Sequence, residues 1–317
     1  MRWQRGRRSQ NLEDRRGSAG RGRLPGFPGL GGGAQGGRVR IPMGGGRGGG
    51  LSLGGLVLML GVAWLLGVNP LDMLGGAGGG AVGVDLDGGF PGAAMPEVGA
   101  RPPATTTPAE EELVEFVSFV LDDLQATWSE LLPGYRDAKL VLFRDATPSA
   151  CGMGQSAMGP FYCPGDQKVY VDLAFYDELR QRFGAPGDFA QAYVLAHEIG
   201  HHVQRLTGVE EAVRREQRAA SSRANELSVR MELQADCLAG VWGHATSRRG
   251  VLEPGDVEEG LRAAAAIGDD RIQRMSGRGV QPESFTHGSS EQRTRWLRKG
   301  LESGDPNACD TFEVSRL

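Results

Sequence analysis

The sequence predicts an α+β fold in which a mostly helical C-terminal domain, with a small antiparallel sheet, follows three segments that are not packed domains. More than half of the 51 glycines lie in the first 100 of 317 residues. Glycine-rich chain has too few side chains to offset the entropy cost of ordering it. After residue 109, apolar residues recur at helical spacing in several stretches, and two short runs have the composition of strands.

Charge is divided unequally along the chain. Residues 1–47 carry 11 arginines against Glu13 and Asp14, a net charge of +9, whereas the remaining residues carry 24 basic and 37 acidic side chains, a net charge of −13. This division excludes a uniformly basic nucleic-acid-binding protein, so no nucleic-acid partner is expected, and it argues against a simple cytosolic enzyme. Residues 1–47 are predicted to be a disordered cytoplasmic tail, with RNA or lipid binding as the less favoured alternative.

An apolar run at residues 51–68 is just long enough, at 18 residues, for a transmembrane helix. A retained anchor is favoured over a cleaved signal peptide, because the basic region of a signal peptide is normally short. A buried apolar element is the third possibility. The arginines on the N-terminal side place the N-terminus in the cytoplasm and the C-terminal domain outside it. A linker rich in Gly, Ala and Pro over 72–108 leads to the folded domain at 109–317.

Four cysteines lie in the folded domain, and an even number in an exported domain favours two disulfides. Cys151 and Cys163 are close in sequence and flank a glycine-rich loop, so they are predicted to pair. Cys237 would then pair with Cys309. A zinc site made of all four cysteines is the alternative, although their spacing fits known zinc modules poorly.

The elements of the domain follow from apolar spacing and from turn residues. A first helix begins after Thr107 and Pro108 and ends before Pro133-Gly134. The other predicted elements are strands at 138–143 and 168–173, a short helix at 176–183, a helix from Asp188 to Gly208, a long charged helical stretch over 210–249, a helix within 253–273, and a last helix capped by Ser289 or Ser290.

A pentapeptide on the helix from Asp188 predicts a metal site. His197 and His201 are four residues apart, so they lie on one helical face about 5.4 Å apart along the axis. That spacing suits two imidazole ligands of one Zn²⁺ ion. Glu198 follows the first histidine, where it can take a proton from zinc-bound water. His202 lies on another face and is expected to support the site or to face solvent.

A zinc ion held by two histidines needs a third protein ligand and an open position for catalysis. Glu232, in the stretch MELQADCLAGVW, is far enough beyond His201 for an antiparallel helix to return past the metal. Asp236, one turn further on, is expected to accept a hydrogen bond from a ligand histidine and so to fix its tautomer. His244 is the rival for the third ligand.

Five blocks carry a family resemblance: MRWQRGRRSQNLEDRRG, SACGMGQSAMGPFYCPGDQKVYVDLAFY, YVLAHEIGHHVQ, MELQADCLAGVW and FTHGSSEQRTRWLRKGLESGDPNACDTF. In this order they resemble the bacterial predicted neutral zinc metallopeptidase family, whose members are single-pass membrane proteins. The pattern is more distantly similar to gluzincin-like membrane peptidases of the Ste24 and HtpX type.

The resemblance implies a zincin-like metallopeptidase domain with an active-site helix, a glutamate-bearing helix and a small sheet. It implies one Zn²⁺ per chain held by His197, His201 and Glu232, with Glu198 as the catalytic base. By the distant similarity, His287 and Arg293 would approach the substrate and stabilise the oxyanion. A capping or surface role for His287 is the alternative.

The expected function is therefore that of a membrane-anchored zinc endopeptidase in a bacterial envelope. An extended peptide or protein substrate would lie along the edge strand in the Met153–Cys163 region, which the Cys151–Cys163 bridge would hold. Two alternatives stay open: a membrane-anchored binding or scaffold protein with an idle zinc site, and a zinc hydrolase of cell-wall peptides. No oligomeric state is predicted.

Overall fold

The computed structural model describes residues 1–17 and 106–317. Its strands are β1 (Leu12–Asp14), β2 (Lys139–Phe143), β3 (Ala146–Ser149), β4 (Gly152–Gln155), β5 (Phe161–Cys163) and β6 (Lys168–Asp172). Its helices are α1 (Pro108–Leu131), α2 (Ala174–Gln181), α3 (Asp188–Thr207), α4 (Val209–Ala219), α5 (Ala224–Arg248), α6 (Asp256–Ala266), α7 (Asp269–Met275) and α8 (Ser290–Ser303). The predicted mixed and mostly helical fold is confirmed.

The main sheet has the strand order β1-β2-β6-β5. Its first three strands are parallel, and β5 pairs with β6 in the antiparallel direction. The prediction of a small antiparallel sheet is therefore wrong for the main sheet, in which only the pairing of β5 with β6 is antiparallel. The central strands β2 and β6 are buried along almost their whole length, which is typical of parallel strands covered on both faces. A separate antiparallel hairpin joins β3 to β4.

Residues 1–17 belong to the folded domain, although composition predicts a disordered tail over 1–47. Only Gly6 and Gly17 are glycines in this stretch, so it differs from the glycine-rich chain that follows. It supplies β1, which pairs with β2. The rest of that tail, the anchor predicted at 51–68 and residues 72–105 of the predicted linker lie outside the described residues. Among the residues described, no helix is both long and apolar enough to span a bilayer.

Two predicted helical stretches are interrupted in the structure. The long stretch after Gly208 divides into α4 and α5 at Ala220, and the stretch after residue 253 divides into α6 and α7 near Gly268. A Cβ at Gly268 would lie 2.3 Å from the backbone nitrogen of Ser290, so the chain passes too close to α8 for any larger residue. Ser289 caps α8 with a capping box to Gln292, which settles the predicted choice of cap.

Helices α3, α5 and α8 pack closely in the core, and glycines set their separation. A Cβ at Gly240 on α5 would lie 2.2 Å from the carbonyl oxygen of Leu297 on α8. A Cβ at Gly300 on α8 would lie 1.9 Å from the carbonyl oxygen of Cys237. The two helices therefore approach to backbone contact. Cys237 is joined to Cys309 by a disulfide, which ties the C-terminal segment to α5.

Candidate metal centre

The face of α3 that carries His197 and His201 is turned toward α5 by a close helix contact. A Cβ on Gly200 would lie 2.9 Å from the carbonyl oxygen of Ala235 and 3.0 Å from its Cα. Glycine at this position lets the two helix backbones approach, one residue before His201. The imidazole rings of His197 and His201 lie on this face with their centroids 4.8 Å apart. The predicted helical face is therefore present and directed at α5.

Glu232 on α5 meets both histidines. Its Oε2 lies 3.1 Å from Nε2 of His197, and its Oε1 lies 3.5 Å from Nε2 of His201. One ligand atom from each of the three residues falls within 4.8 Å of the other two. The structure therefore brings together the three side chains that the sequence predicts as ligands, and both imidazoles present the same ring nitrogen to Glu232.

Asp236, one turn beyond Glu232, is fully buried on the opposite side of His197. Its Oδ1 lies 2.8 Å from Nδ1 of His197 and accepts a hydrogen bond from the Tyr193 hydroxyl at 2.6 Å. Arg293 donates to both carboxylate oxygens of Asp236, each at 2.9 Å. Asp236 therefore orients His197, as the sequence predicts, inside a network that leaves neither of its oxygens without a donor.

Arg293 lies in a different place from the one expected. The distant similarity implies that its guanidinium approaches a substrate. In the structure Arg293 is only 3% exposed and is bonded to Asp236, on the Nδ1 side of His197. Because Glu232 lies on the Nε2 side, Arg293 is placed to hold Asp236 rather than to contact a substrate. Tyr193, which shares this network, was not found from the sequence.

His201 is oriented by a neighbour that the sequence analysis missed. Gln204 Oε1 lies 2.8 Å from Nδ1 of His201, and the same amide donates to the carbonyl oxygen of Met231 on α5. Gln204 is fully buried. Gln204 follows His201 by three residues, a spacing that places both on the same helical face. The helical periodicity could therefore have predicted the contact.

The charges of the cluster shift the pKa values of its members in opposite directions. Burial alone would lower the pKa of His197, but the charge of Asp236 and the hydrogen bonds to Asp236 and Glu232 raise it to about 10. Burial would also lower the pKa of His201, and the charge of Glu232 raises it. Burial would raise the pKa of Glu232, but His201, His287 and His197 hold it well below its usual range. These histidines therefore favour the ionised form of Glu232.

Glu198 lies beside the histidines and Glu232, and its carboxylate accepts no hydrogen bond from a described residue. It is 8% exposed, and its side chain makes no hydrogen bond to any residue within 1–17 or 106–317. Tyr176 on α2 is 3% exposed, and its hydroxyl has no hydrogen-bond partner in the described part of the chain. Burial raises the pKa of Tyr176, and the negative charge of Glu198 raises it further. The Glu198 carboxylate and the unpartnered Tyr176 hydroxyl therefore lie in one region.

His287 lies in the loop before α8, and Asp269 at the start of α7 holds that loop. Asp269 Oδ2 accepts hydrogen bonds from three successive backbone N–H groups, those of Thr286 at 2.8 Å, His287 at 2.6 Å and Gly288 at 3.0 Å. The His287 side chain is 46% exposed. Desolvation by the surrounding protein would lower the pKa of His287, but the charge of Glu232 and the hydrogen bond to Asp269 raise it. His287 is therefore open to solvent and within range of the charge of Glu232, whereas Arg293 is buried.

The other two histidines lie outside the cluster. His202 is buried, with Nδ1 2.9 Å from the Tyr162 hydroxyl and Nε2 2.6 Å from the carbonyl oxygen of Arg136. His202 supports the fold by tying α3 to β5 and does not face solvent. His244 contacts the carbonyl oxygen of Leu301 and replaces no member of the cluster.

Both predicted disulfides are present. Cys151 is joined to Cys163, and Cys237 to Cys309. All four cysteines of the chain are thereby used, so the alternative of a four-cysteine zinc site is excluded.

Almost the whole sequence matches one known protein family. A profile of the family described as "putative neutral zinc metallopeptidase" matches residues 1–312. The chain belongs to this family. The family is one of zinc peptidases, so Zn²⁺ is its cofactor.

The relatives it resembles cover the chain to different extents. It is 46% identical over 320 residues to "Uncharacterized protein YpfJ" of Escherichia coli strain K12, covering 99% of this chain and 100% of the relative. It is 45% identical over 207 residues to "Uncharacterized protein Rv2575" of Mycobacterium tuberculosis strain H37Rv, covering 62% of this chain and 69% of the relative. No solved structure matches the chain.

Proposed function

We propose that the protein is a zinc endopeptidase in which His197, His201 and Glu232 hold one Zn²⁺ and Glu198 is the general base. The observation that carries the proposal is the convergence of two imidazole Nε2 atoms and one carboxylate within 4.8 Å. Two histidines and one glutamate are the protein ligands of one well-known class of catalytic zinc sites, which keep the fourth position for water or substrate.

The donor set fits a divalent cation in its chemistry as well as its spacing. Each histidine has its Nδ1 engaged, that of His197 by Asp236 and that of His201 by Gln204. Both rings are therefore fixed with Nε2 toward Glu232. Partners of this kind hold metal-bound histidines in the required tautomer and orientation. A bound cation would lie between the two Nε2 atoms and the carboxylate of Glu232.

The residues around the centre can supply the rest of a hydrolytic mechanism. When held by His197, His201 and Glu232, Zn²⁺ would supply a Lewis acid for the scissile carbonyl and would lower the pKa of a bound water to about 7. Glu198, whose carboxylate has no hydrogen bond to a described residue, accepts the proton of the attacking water and passes it to the leaving amine. His287, half-exposed and near Glu232, donates a hydrogen bond to the oxyanion. Arg293 acts through Asp236 and His197 rather than on the substrate.

The substrate is an extended peptide that adds to the sheet along β5. β5 pairs with β6 on one edge, and no other strand of the described chain pairs with its second edge. The Tyr162–His202 hydrogen bond fixes β5 beside α3, which carries the two histidines. The Cys151–Cys163 bridge holds the loop before β5. Strand addition of this kind recognises main chain, so it suits a peptide of varied sequence.

The two disulfides support a compartment outside the reducing cytoplasm, in a bacterial envelope. Attachment to the membrane through residues 51–68 stays a prediction, because that stretch lies outside the described residues.

Substitution of the general base tests the proposed reaction. Glu198→Gln keeps the side-chain volume and removes the base, so zinc content should be unchanged while casein hydrolysis by the zinc-loaded protein falls by at least ~100-fold. Glu226→Gln on the exposed face of α5 is the matched control and should cleave like wild type. Equal cleavage by Glu198→Gln and wild type would falsify the assignment of Glu198. Purified peptidoglycan, offered in parallel, tests the cell-wall alternative.

A further inference from the structure

The N-terminal segment, residues 1–17, is integrated into the metal-site domain through its backbone. Strand β1 runs parallel to β2, with Leu12 opposite Leu140, Glu13 opposite Val141 and Asp14 opposite Leu142. Backbone hydrogen bonds flank this pairing, from Leu140 N–H to the Asn11 carbonyl at 2.9 Å and from Arg15 N–H to the Leu142 carbonyl at 2.8 Å. Without the N-terminal segment, β2 would become an exposed sheet edge, although its residues Leu140 to Leu142 are fully buried.

Side chains of the N-terminal segment also pack into the domain. Arg16 is 6% exposed, and its Nη2 donates to Asp14 at 2.7 Å and to Glu111 on α1 at 2.9 Å. The Trp3 ring packs edge-on against Phe116 with 5.4 Å between centroids. Such burial of an arginine requires the acidic partners that surround it.

The first residue reaches the beginning of the metal-site helix. The α-ammonium group of Met1 lies 2.7 Å from Asp188, the first residue of α3, and 3.3 Å from Asp256, in the first turn of α6. Asp188, Asp256 and Glu259 form a tight acidic group. Burial and the two aspartates raise the pKa of Glu259. The positive charge of the Met1 ammonium group therefore offsets the repulsion among these three carboxylates at the N-terminal end of α3.

Arginines of the N-terminal segment form ion pairs with acidic residues of the same domain. Arg2 pairs with Glu253, Arg5 with Glu112, and Arg8 and Arg16 both pair with Glu111. All of these acids belong to residues 106–317. The charge division of +9 against −13, which the sequence analysis took as a signal for membrane orientation, is thus in part a signal for docking. The family profile also begins at residue 1, so the segment is part of the family pattern.

We infer that residues 1–17 and residues 106–317 lie on the same side of any membrane that the protein meets. A hydrocarbon core about 30 Å thick cannot lie between two hydrogen-bonded strands. The inference holds equally if β1 is supplied by a second copy of the chain, because both copies have the same topology. It replaces the expected arrangement of cytoplasmic N-terminus and exported domain.

Single cysteines in the full chain test the inference directly. All four natural cysteines are in disulfides, so Arg7→Cys and Arg215→Cys each introduce one reactive thiol at an exposed position. Intact cells that express each variant are treated with a membrane-impermeant maleimide, and detergent-treated cells define complete labelling. We expect both variants to be labelled to the same extent, or both to be protected. Labelling of one variant in intact cells and of the other only after detergent would overturn the inference.

A zero-length cross-link tests docking in the unmodified protein. Lys168 Nζ lies 2.7 Å from Glu13 Oε1, so a carbodiimide should join the two side chains, and mass spectrometry should recover the linked peptide from whole cells. Glu13→Gln is the control and should lose that peptide. Failure to recover the Glu13–Lys168 peptide from wild type, together with opposite labelling of the two cysteine variants, would show that β1 is not docked.

Discussion

The two ring nitrogens of His197 face different environments. On the Nδ1 side, Asp236, Tyr193 and Arg293 are buried and fully hydrogen-bonded to one another. On the Nε2 side, Glu232 and His201 are partly exposed, and the nearby carboxylate of Glu198 has no hydrogen-bond partner among the described residues. The first side has the character of a core network, which holds a fixed geometry. The second has the open bonding capacity for a cation, water and substrate that the proposed reaction site requires.

This comparison predicts that the buried side contributes to folding and the open side to chemistry. Asp236→Ala should have the largest effect on stability, because it leaves the Arg293 guanidinium buried without its partner. Breaking a buried ion pair in this way costs about 3–5 kcal/mol of unfolding free energy. Urea denaturation of the metal-free protein measures it, with Glu198→Gln as the control that should change stability little. A stable Asp236→Ala protein would remove the distinction between the two sides.

The contact between α3 and α5 gives a smaller expected loss of stability, opposite in sign to the usual effect of a Gly→Ala substitution in a helix. Gly200→Ala would normally stabilise a helix by up to ~1 kcal/mol. Here the new methyl group meets the Ala235 backbone at 2.9 Å, so we expect a loss of about 1–3 kcal/mol and weaker zinc binding. Thermal melting and competition with a zinc chelator measure the two effects. Higher stability with unchanged zinc affinity would mean that the close approach does not position Glu232.

Tyr176 gives the smallest predicted change. Because its buried hydroxyl has no partner, Tyr176→Phe should leave stability unchanged or raise it by up to ~1 kcal/mol, since an unsatisfied buried polar group is costly. Tyr170→Phe is the matched control, because the Tyr170 hydroxyl donates to Asp166 at 2.7 Å, and it should lower stability by ~1 kcal/mol. Thermal unfolding compares the two variants. A larger loss for Tyr176→Phe than for Tyr170→Phe would show that its hydroxyl is bonded in solution.

The parts of the site that the sequence predicted are those that local periodicity determines. His197 and His201 share a face because of helical spacing alone, and Glu232 and Asp236 do so on the next long helix. The sequence also predicted the Cys151–Cys163 disulfide from proximity along the chain, which left Cys237 to pair with Cys309. These features need only short-range geometry and one antiparallel return of the chain.

The features that were missed depend on contacts between distant parts of the chain. Strand β1 pairs with a strand more than 120 residues later, and composition averaged over residues 1–47 concealed it. The distant similarity implied a substrate contact for Arg293, but its side chain instead enters the core toward Asp236. The three backbone bonds of Asp269 to the His287 loop depend on a break after α6 that periodicity does not predict.

Zinc content of purified protein, measured by elemental analysis after exhaustive dialysis, tests the central claim most directly. We expect one Zn²⁺ per chain in wild type, one in Glu226→Ala, which alters an exposed glutamate of the same helix, and none in Glu232→Ala. Retention of a full zinc ion by Glu232→Ala, with the fold intact by circular dichroism, would contradict the assignment of His197, His201 and Glu232 as the metal centre.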